Sequence, residues 1–303
     1  MENILQVKSL TKMFGQNYAV DNVDMNINRG DIYGFIGRNG AGKTTLIRIL
    51  LGLCEKNSGE VELFGSTNLL EGRDKIGCII ENPAIFPKMT AKDNIIAQSK
   101  VVGIKLSNTE IDDLLKTVGL DSSMKKKTKD FSLGMKQRLS IAIALVGNPE
   151  FLVLDEPTNG LDPEGIRDIR NLILSLNKEK NITVLISSHI LGELHKLATR
   201  YGVIDNGKLI KEFTAKELDE KTEAGFEIKV KEADIENIEE FFKESNINYS
   251  LDREKSKFTI SGEENSDEIL KQITARGVIP ASYGFKNIDL EDYFMELIGG
   301  KHE

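Results

Sequence analysis

The chain has 303 residues, 40% of them apolar and 29% charged, a balance that suits folded globular units and excludes disordered or fibrous classes. Its longest apolar runs, such as Ile141 to Val146 and Phe151 to Leu154, fall far short of the ~20 residues a bilayer-crossing helix needs. The net charge of -8 is uneven: residues 220 to 303 hold 20 acidic and 11 basic side chains, leaving the rest near neutral, which argues against a strongly basic nucleic-acid face.

In chain order, short apolar strands alternate with helical patterns up to about residue 215, the mark of an α/β unit on a mostly parallel sheet. Strands are predicted over Asp31 to Ile36, Phe151 to Leu154 and Val184 to Ser187, and a helix over Thr45 to Leu53. The stretch from Lys88 to Val146 reads as a helical insertion, with Thr90 as an N-cap and Ile111, Leu114, Leu115 and Val118 in helical spacing. Lys125-Lys126-Lys127-Thr128-Lys129 within it reads as a solvated loop, with contact to anionic lipid as the alternative. Asp205-Asn206-Gly207-Lys208 supplies residues that tolerate positive φ, so Tyr201 to Phe213 is predicted to be a hairpin. Beyond Lys216, strand, helix, two strands, helix and strand follow over Phe226–Val230, Asp234–Glu244, Tyr249, Phe258, Ser266–Ala275 and Tyr283. That order predicts a small ferredoxin-like α+β unit, with a last helix at Leu290 to Leu297. The chain therefore divides into 1–217, with its helical part at about 88–146, and 218–303. The start Met1-Glu2-Asn3-Ile4 lacks the features of a secretory signal, and two cysteines, Cys54 and Cys78, suit a reducing compartment, so a cytoplasmic protein is expected.

Two motifs carry chemistry. Gly37-Arg38-Asn39-Gly40-Ala41-Gly42-Lys43-Thr44 matches the phosphate-binding pattern G-x-x-x-x-G-K-[ST], placed after a strand and before the helix that begins near Thr45. Glycines there let backbone N–H groups turn inward around phosphates, and the helix N-terminus adds the positive end of its dipole. Lys43 is expected on the β- and γ-phosphates and Thr44 on Mg²⁺. The buried-strand run that ends in Asp155-Glu156 places two carboxylates at the carboxyl end of a sheet strand, where open α/β sheets bind ligands. Asp155 is expected to hold Mg²⁺, and Glu156 to orient and polarise the attacking water as a general base.

With these in place, residues 3 to about 215 resemble an ATP-binding cassette of the ABC type. Phe131-Ser132-Leu133-Gly134-Met135-Lys136-Gln137-Arg138 looks like the family signature L-S-G-G-Q-x-Q-R, with Leu133 and Met135 in place of a glycine and the glutamine. The resemblance implies that Ser132 and Gly134 contact ATP held by an opposite subunit. Asn159-Gly160-Leu161-Asp162 resembles the family's D-loop, with Asp162 at the subunit interface. Ser187-Ser188-His189 resembles its switch histidine, so that His189 would sense the γ-phosphate. Phe14 matches the aromatic that stacks on adenine, a core phenylalanine being the rival reading. Most family members have glutamine where Ile80-Glu81-Asn82-Pro83 places Glu81, and the stretch from Ile76 to Thr90 looks like the subgroup that exports bacitracin or protects against lantibiotics. There Glu81 is expected to approach Mg²⁺ and the lytic water.

The resemblance implies a P-loop α/β core with a β-rich N-terminal portion, a helical subdomain and the small C-terminal unit. It further implies ATP and Mg²⁺ as cofactors, a second cassette (identical or related) and a separate transmembrane permease, at the inner face of the membrane. Import, a soluble ABC ATPase acting on ribosomes or DNA, and a P-loop kinase are the alternatives. A single cassette, a short gap between Lys43 and Ser132, and the Ser132 and His189 segments weigh against the last two. His195 and His302 lack companions at metal-ligand spacing and are assigned no chemistry.

Overall fold

The computed structural model describes residues 2–81, 84–260, 266–287 and 290–298; Asn82, Pro83 and His302 lie outside them. Contacts divide the chain into two compact units, Met1–Ala215 and Lys216–Glu303, a boundary two residues ahead of the one read from composition.

The first unit opens with two 12-residue strands, β1 (Asn3–Phe14) and β2 (Asn17–Asn28), paired antiparallel with several register shifts. Those bulges break the alternation of apolar residues, so no clean strand pattern can be read there. Next come β3 (Ile32–Ile36), α1 (Lys43–Leu50), β4 (Ser58–Leu63), α2 (Leu69–Arg73) and β5 (Ile76–Ile79). β4 joins β1 to make a three-stranded antiparallel sheet. The helical insertion holds α3 (Ala91–Val101), α4 (Asn108–Thr117) and α5 (Leu133–Ala144). Thr90 caps α3 in a reciprocal box with Asp93, and Ser107 caps α4 in the same way with Glu110. The lysines at 125, 126, 127 and 129 are exposed, while Thr128 between them is buried and donates to the Phe86 carbonyl at 2.8 Å.

The chain then returns to the main sheet through β6 (Phe151–Asp155), α6 (Pro163–Lys180), β7 (Thr183–Ser188), α7 (Leu191–His195), β8 (Arg200–Asp205) and β9 (Lys208–Thr214). The six-stranded order is β5-β6-β7-β3-β8-β9, parallel except for the β8–β9 hairpin. Every residue of β3, β6 and β7 is buried, as expected of parallel strands covered on both faces. The hairpin turns on Asn206 (φ 47°) and Gly207 (φ 79°), the positive pair a type I′ turn demands. Inside the sheet, burial and then the Glu212 carboxylate push the Tyr33 phenol well above its usual range, and its O–H donates to Glu212 at 2.7 Å.

Strand β5 lies tight against α5: a Cβ on Gly77 would come within 2.1 Å of the Ala144 carbonyl oxygen. Gly77→Ala is therefore expected to lower the stability of this unit by about 3 kcal/mol, since backbone must shift to admit the methyl. A thermal melt checks it, and an unchanged midpoint would contradict the packing.

From the last residue of the first unit, α8 (Ala215–Thr222) runs into the second, which continues with β10 (Glu223–Lys229), α9 (Ile235–Glu244), β11 (Tyr249–Asp252), β12 (Lys257–Ile260), α10 (Ser266–Ala275), β13 (Ser282–Asn287) and α11 (Leu290–Leu297). The sheet order β11-β12-β10-β13 is antiparallel throughout, the arrangement of a split β-α-β unit. Phe226, Ile228, Phe241, Phe242, Phe258 and Ile273 form its own core.

Candidate functional site

The loop between β3 and α1 is shaped by close approach. A Cβ on Gly37 would lie 2.5 Å from the Ile204 carbonyl oxygen, and one on Gly42 would lie 2.3 Å from the Ala19 carbonyl oxygen. Gly40 and Gly42 also sit at φ 81° and 111°, conformations costly for any other residue. Arg38, Asn39 and Gly40 are exposed at the loop's crest, and Ala41 is buried beneath them. The β8–β9 turn braces the loop from below: Gly207 N–H donates to the Ala41 carbonyl at 2.9 Å, and its carbonyl accepts from Asp21 N–H at 2.8 Å. Sequence reasoning missed this brace, because only the folded sheet brings β8 beside β3.

Helix α1 starts at Lys43, two residues before the predicted Thr45, and Gly42 at its N-cap offers no side chain to its first N–H groups. Those donors converge on the loop, which makes an anion site. Lys43 is 4% exposed; its ammonium donates to the Gly37 and Arg38 carbonyls at 2.7 and 3.2 Å and lies 3.5 Å from Glu156 Oε1.

Asp155 closes β6 and Glu156 follows it in a left-handed turn, so the two acids part company. Asp155 is buried, accepting from Thr44 Oγ1 at 2.8 Å and from Ser187 Oγ at 2.5 Å. Glu156 turns toward the loop, where its Oε2 lies 3.3 Å from His189 Nδ1 and 3.5 Å from Asn159 Nδ2. Its backbone adopts φ 48°, strained for a non-glycine residue, with the N–H held by Ser187 Oγ at 3.0 Å. Ser187 thus orients both acids. Its place opposite Asp155 in the parallel β6–β7 register is set only once the sheet has formed.

The signature segment is built separately. Ser132 caps α5, accepting from Met135 N–H at 3.2 Å, which leaves its own O–H hydrogen to donate. With Leu133, Gly134, Gly160, Leu161 and Asp162 it lines an open cavity of about 680 Å³. Leu133 reaches the D-loop, its Cδ2 3.3 Å from where a Cβ on Gly160 would stand. Asp162 caps α6 through Gly165 N–H at 2.9 Å, ahead of Pro163 at the first helical position.

Phe14 ends β1 with 57% of its surface exposed and Lys12 Nζ 5.0 Å from its ring centre, so the core reading of this residue falls. Glu81 is placed differently from the expectation. Its carboxylate meets Arg48 Nη2 at 2.6 Å on the exposed side of α1, drawn by the nearest cation, and the structure does not bring it to the Thr44–Asp155 pair.

The ABC transporter family profile matches residues 20–159. The bacitracin transport ATP-binding protein BcrA of Bacillus licheniformis is 42% identical over 305 residues, covering 99% of each chain. The chain belongs to the ABC transporter ATP-binding proteins. The lantibiotic transport ATP-binding protein SrtF of Streptococcus pyogenes is 45% identical over 209 residues, 69% of this chain and 90% of that one. Among solved structures, the CbiO1 subunit from Clostridium perfringens superposes with TM-score 0.65 at 30% identity, covering 72% of this chain and 91% of that one. The dimeric MJ0796 cassette bound to ADP and Pi gives TM-score 0.62 at 28% identity, covering 70% of this chain and 98% of that one. This ABC protein is an ATPase, and its first unit carries the cassette. No helix among its described residues is long and apolar enough to cross a membrane.

Proposed function

We propose that this ABC ATPase drives export of antimicrobial peptides of the bacitracin or lantibiotic class, working from the inner face of the membrane with a separate permease and a second cassette. The observation that carries this reading is the 42% identity to a bacitracin transport subunit along the whole chain, the C-terminal unit included.

Lys43 and the N–H groups of α1 hold the phosphates, with Gly37, Arg38, Asn39, Gly40, Ala41, Gly42 and Thr45 shaping the cradle. Phe14 stacks on the adenine from the exposed end of β1. The oxygen donors Thr44 and Asp155, already 2.8 Å apart, fit a hard cation that keeps phosphate and water among its ligands, as Mg²⁺ does. When bound, Mg²⁺ neutralises charge developing on the transferred phosphoryl group. Glu156 takes the proton of the attacking water, and His189 holds Glu156 and the γ-phosphate in register. Ser132, Gly134 and Asp162 of one cassette close over nucleotide held by the other. Hydrolysis then lets the two part.

With ATP and Mg²⁺ held, the Glu81 carboxylate would be free to leave Arg48 and help hold the metal and its water; an exposed ion pair of this kind is worth at most about 1 kcal/mol, so release costs little. Phe86 and Met89, exposed a few residues on, supply an apolar contact for the permease. Glu81→Ala is expected to cut permease-coupled hydrolysis and export about tenfold, the effect of losing one charge-assisted contact. If both stay unchanged, this role is abandoned.

The proposal as a whole is tested by pull-down from detergent-solubilised membranes together with bacitracin and lantibiotic susceptibility of cells lacking the chain. A membrane protein should copurify and susceptibility should rise. Pelleting with ribosomes and unaltered susceptibility would overturn it.

A further inference from the structure

Two loops carry the groups assigned to water. One leaves β6 with Glu156 and continues through Thr158 and Asn159. The other leaves β7 with His189 and enters α7. At the sheet they are joined through Ser187, which donates to Asp155 and accepts from the Glu156 N–H. The strand ladder ends there, at Asp155 opposite Ser187.

Farther out, the loops meet again. Thr158 Oγ1 donates to Glu193 Oε2 at 2.7 Å, and both residues are partly buried. Ile166, Ile173, Ile186, Leu194 and Leu197 wall the same small cavity, with Arg170 and Ser188 completing its lining. In such surroundings water competes poorly, so a hydrogen bond to a carboxylate is stronger than on an open surface. The pair stands two residues beyond Glu156 on one side and four residues beyond His189 on the other. It therefore closes a frame whose opposite bar is Ser187, with the 3.3 Å approach of His189 to Glu156 inside it. Glu156 needs such a frame, because its backbone at φ 48° has no intrinsic preference for the place it holds.

We propose that Thr158 and Glu193 are positioning residues: their hydrogen bond clasps the two loops and sets the separation of Glu156 and His189 for the hydrolytic step. This rests on the reading of Glu156 and His189 given above. Neither member of the clasp lies in the phosphate loop or the signature segment, so its loss acts on turnover and not on nucleotide affinity.

The test uses the purified full chain with ATP and magnesium. Thr158→Val, which keeps the shape and removes the donor, and Glu193→Ala should each lower kcat about tenfold with KM for ATP unmoved, as misplacement of a reacting group does. Thr158→Ser and Glu193→Gln restore donor and acceptor and should recover most of the rate. The Thr158→Val/Glu193→Ala double variant should be no slower than the slower single one, since one bond is lost in each case. Glu156→Gln is assayed alongside: if it hydrolyses ATP freely, the reading of Glu156 itself fails. If Glu156→Gln is inactive while Thr158→Val and Glu193→Ala turn over like the native chain, the clasp alone is overturned. It is equally overturned if the two effects multiply, or if the conservative variants are as slow as the disruptive ones.

Discussion

Glu156→Gln is expected to lower steady-state ATP hydrolysis about a thousandfold while ATP binding survives. The amide keeps the length and planarity of the carboxylate, and its Oε1 can still accept from Asn159, but it can take no proton from water. The backbone at this residue is fixed by Ser187 and not by the side chain, so the loop stays in place. Asp155, Thr44 and Lys43 are untouched, so the phosphates remain held. With binding intact and cleavage removed, the paired state should persist, and the variant should elute as a dimer from a sizing column run in ATP and magnesium. Rapid hydrolysis together with a persistent monomer would refute the assignment.

Lys43→Ala is expected to fail one step earlier. The ammonium is buried and aimed by two loop carbonyls, so replacing it removes the principal cation facing the phosphates and takes away the donor that the Gly37 carbonyl uses. Charge-assisted hydrogen bonds of this kind put the loss of ATP affinity at about a hundredfold. Titration with a fluorescent ATP analogue measures it directly, and an unchanged dissociation constant would remove Lys43 from the site. The two variants are thus separable: one binds without cleaving, the other scarcely binds.

Much of this is legible in the amino-acid sequence wherever local chemistry dictates conformation. The glycines at 37, 40 and 42 announce a loop that only glycine can make, and Asn206-Gly207 announces its turn for the same reason. Thr90 announces a helix start. The apolar run into Asp155 and Glu156 announces a covered strand ending at a ligand site. What stays hidden depends on pairing across the sheet: Ser187 under both acids, Gly207 under the phosphate loop, Glu193 against Thr158. These contacts span 31 to 166 positions of chain, and no local spacing encodes them. Glu81 is hidden for another reason. The resemblance at its position suggests the metal as a partner, whereas the folded chain offers it Arg48, one helix turn past the phosphate loop.

The left-handed backbone at Glu156 sets heat tolerance against turnover at a single position. Glycine there would relieve about 1 kcal/mol of steric conflict. A redesign guided only by melting temperature would therefore choose it, and would return a sturdier protein that can no longer burn its fuel.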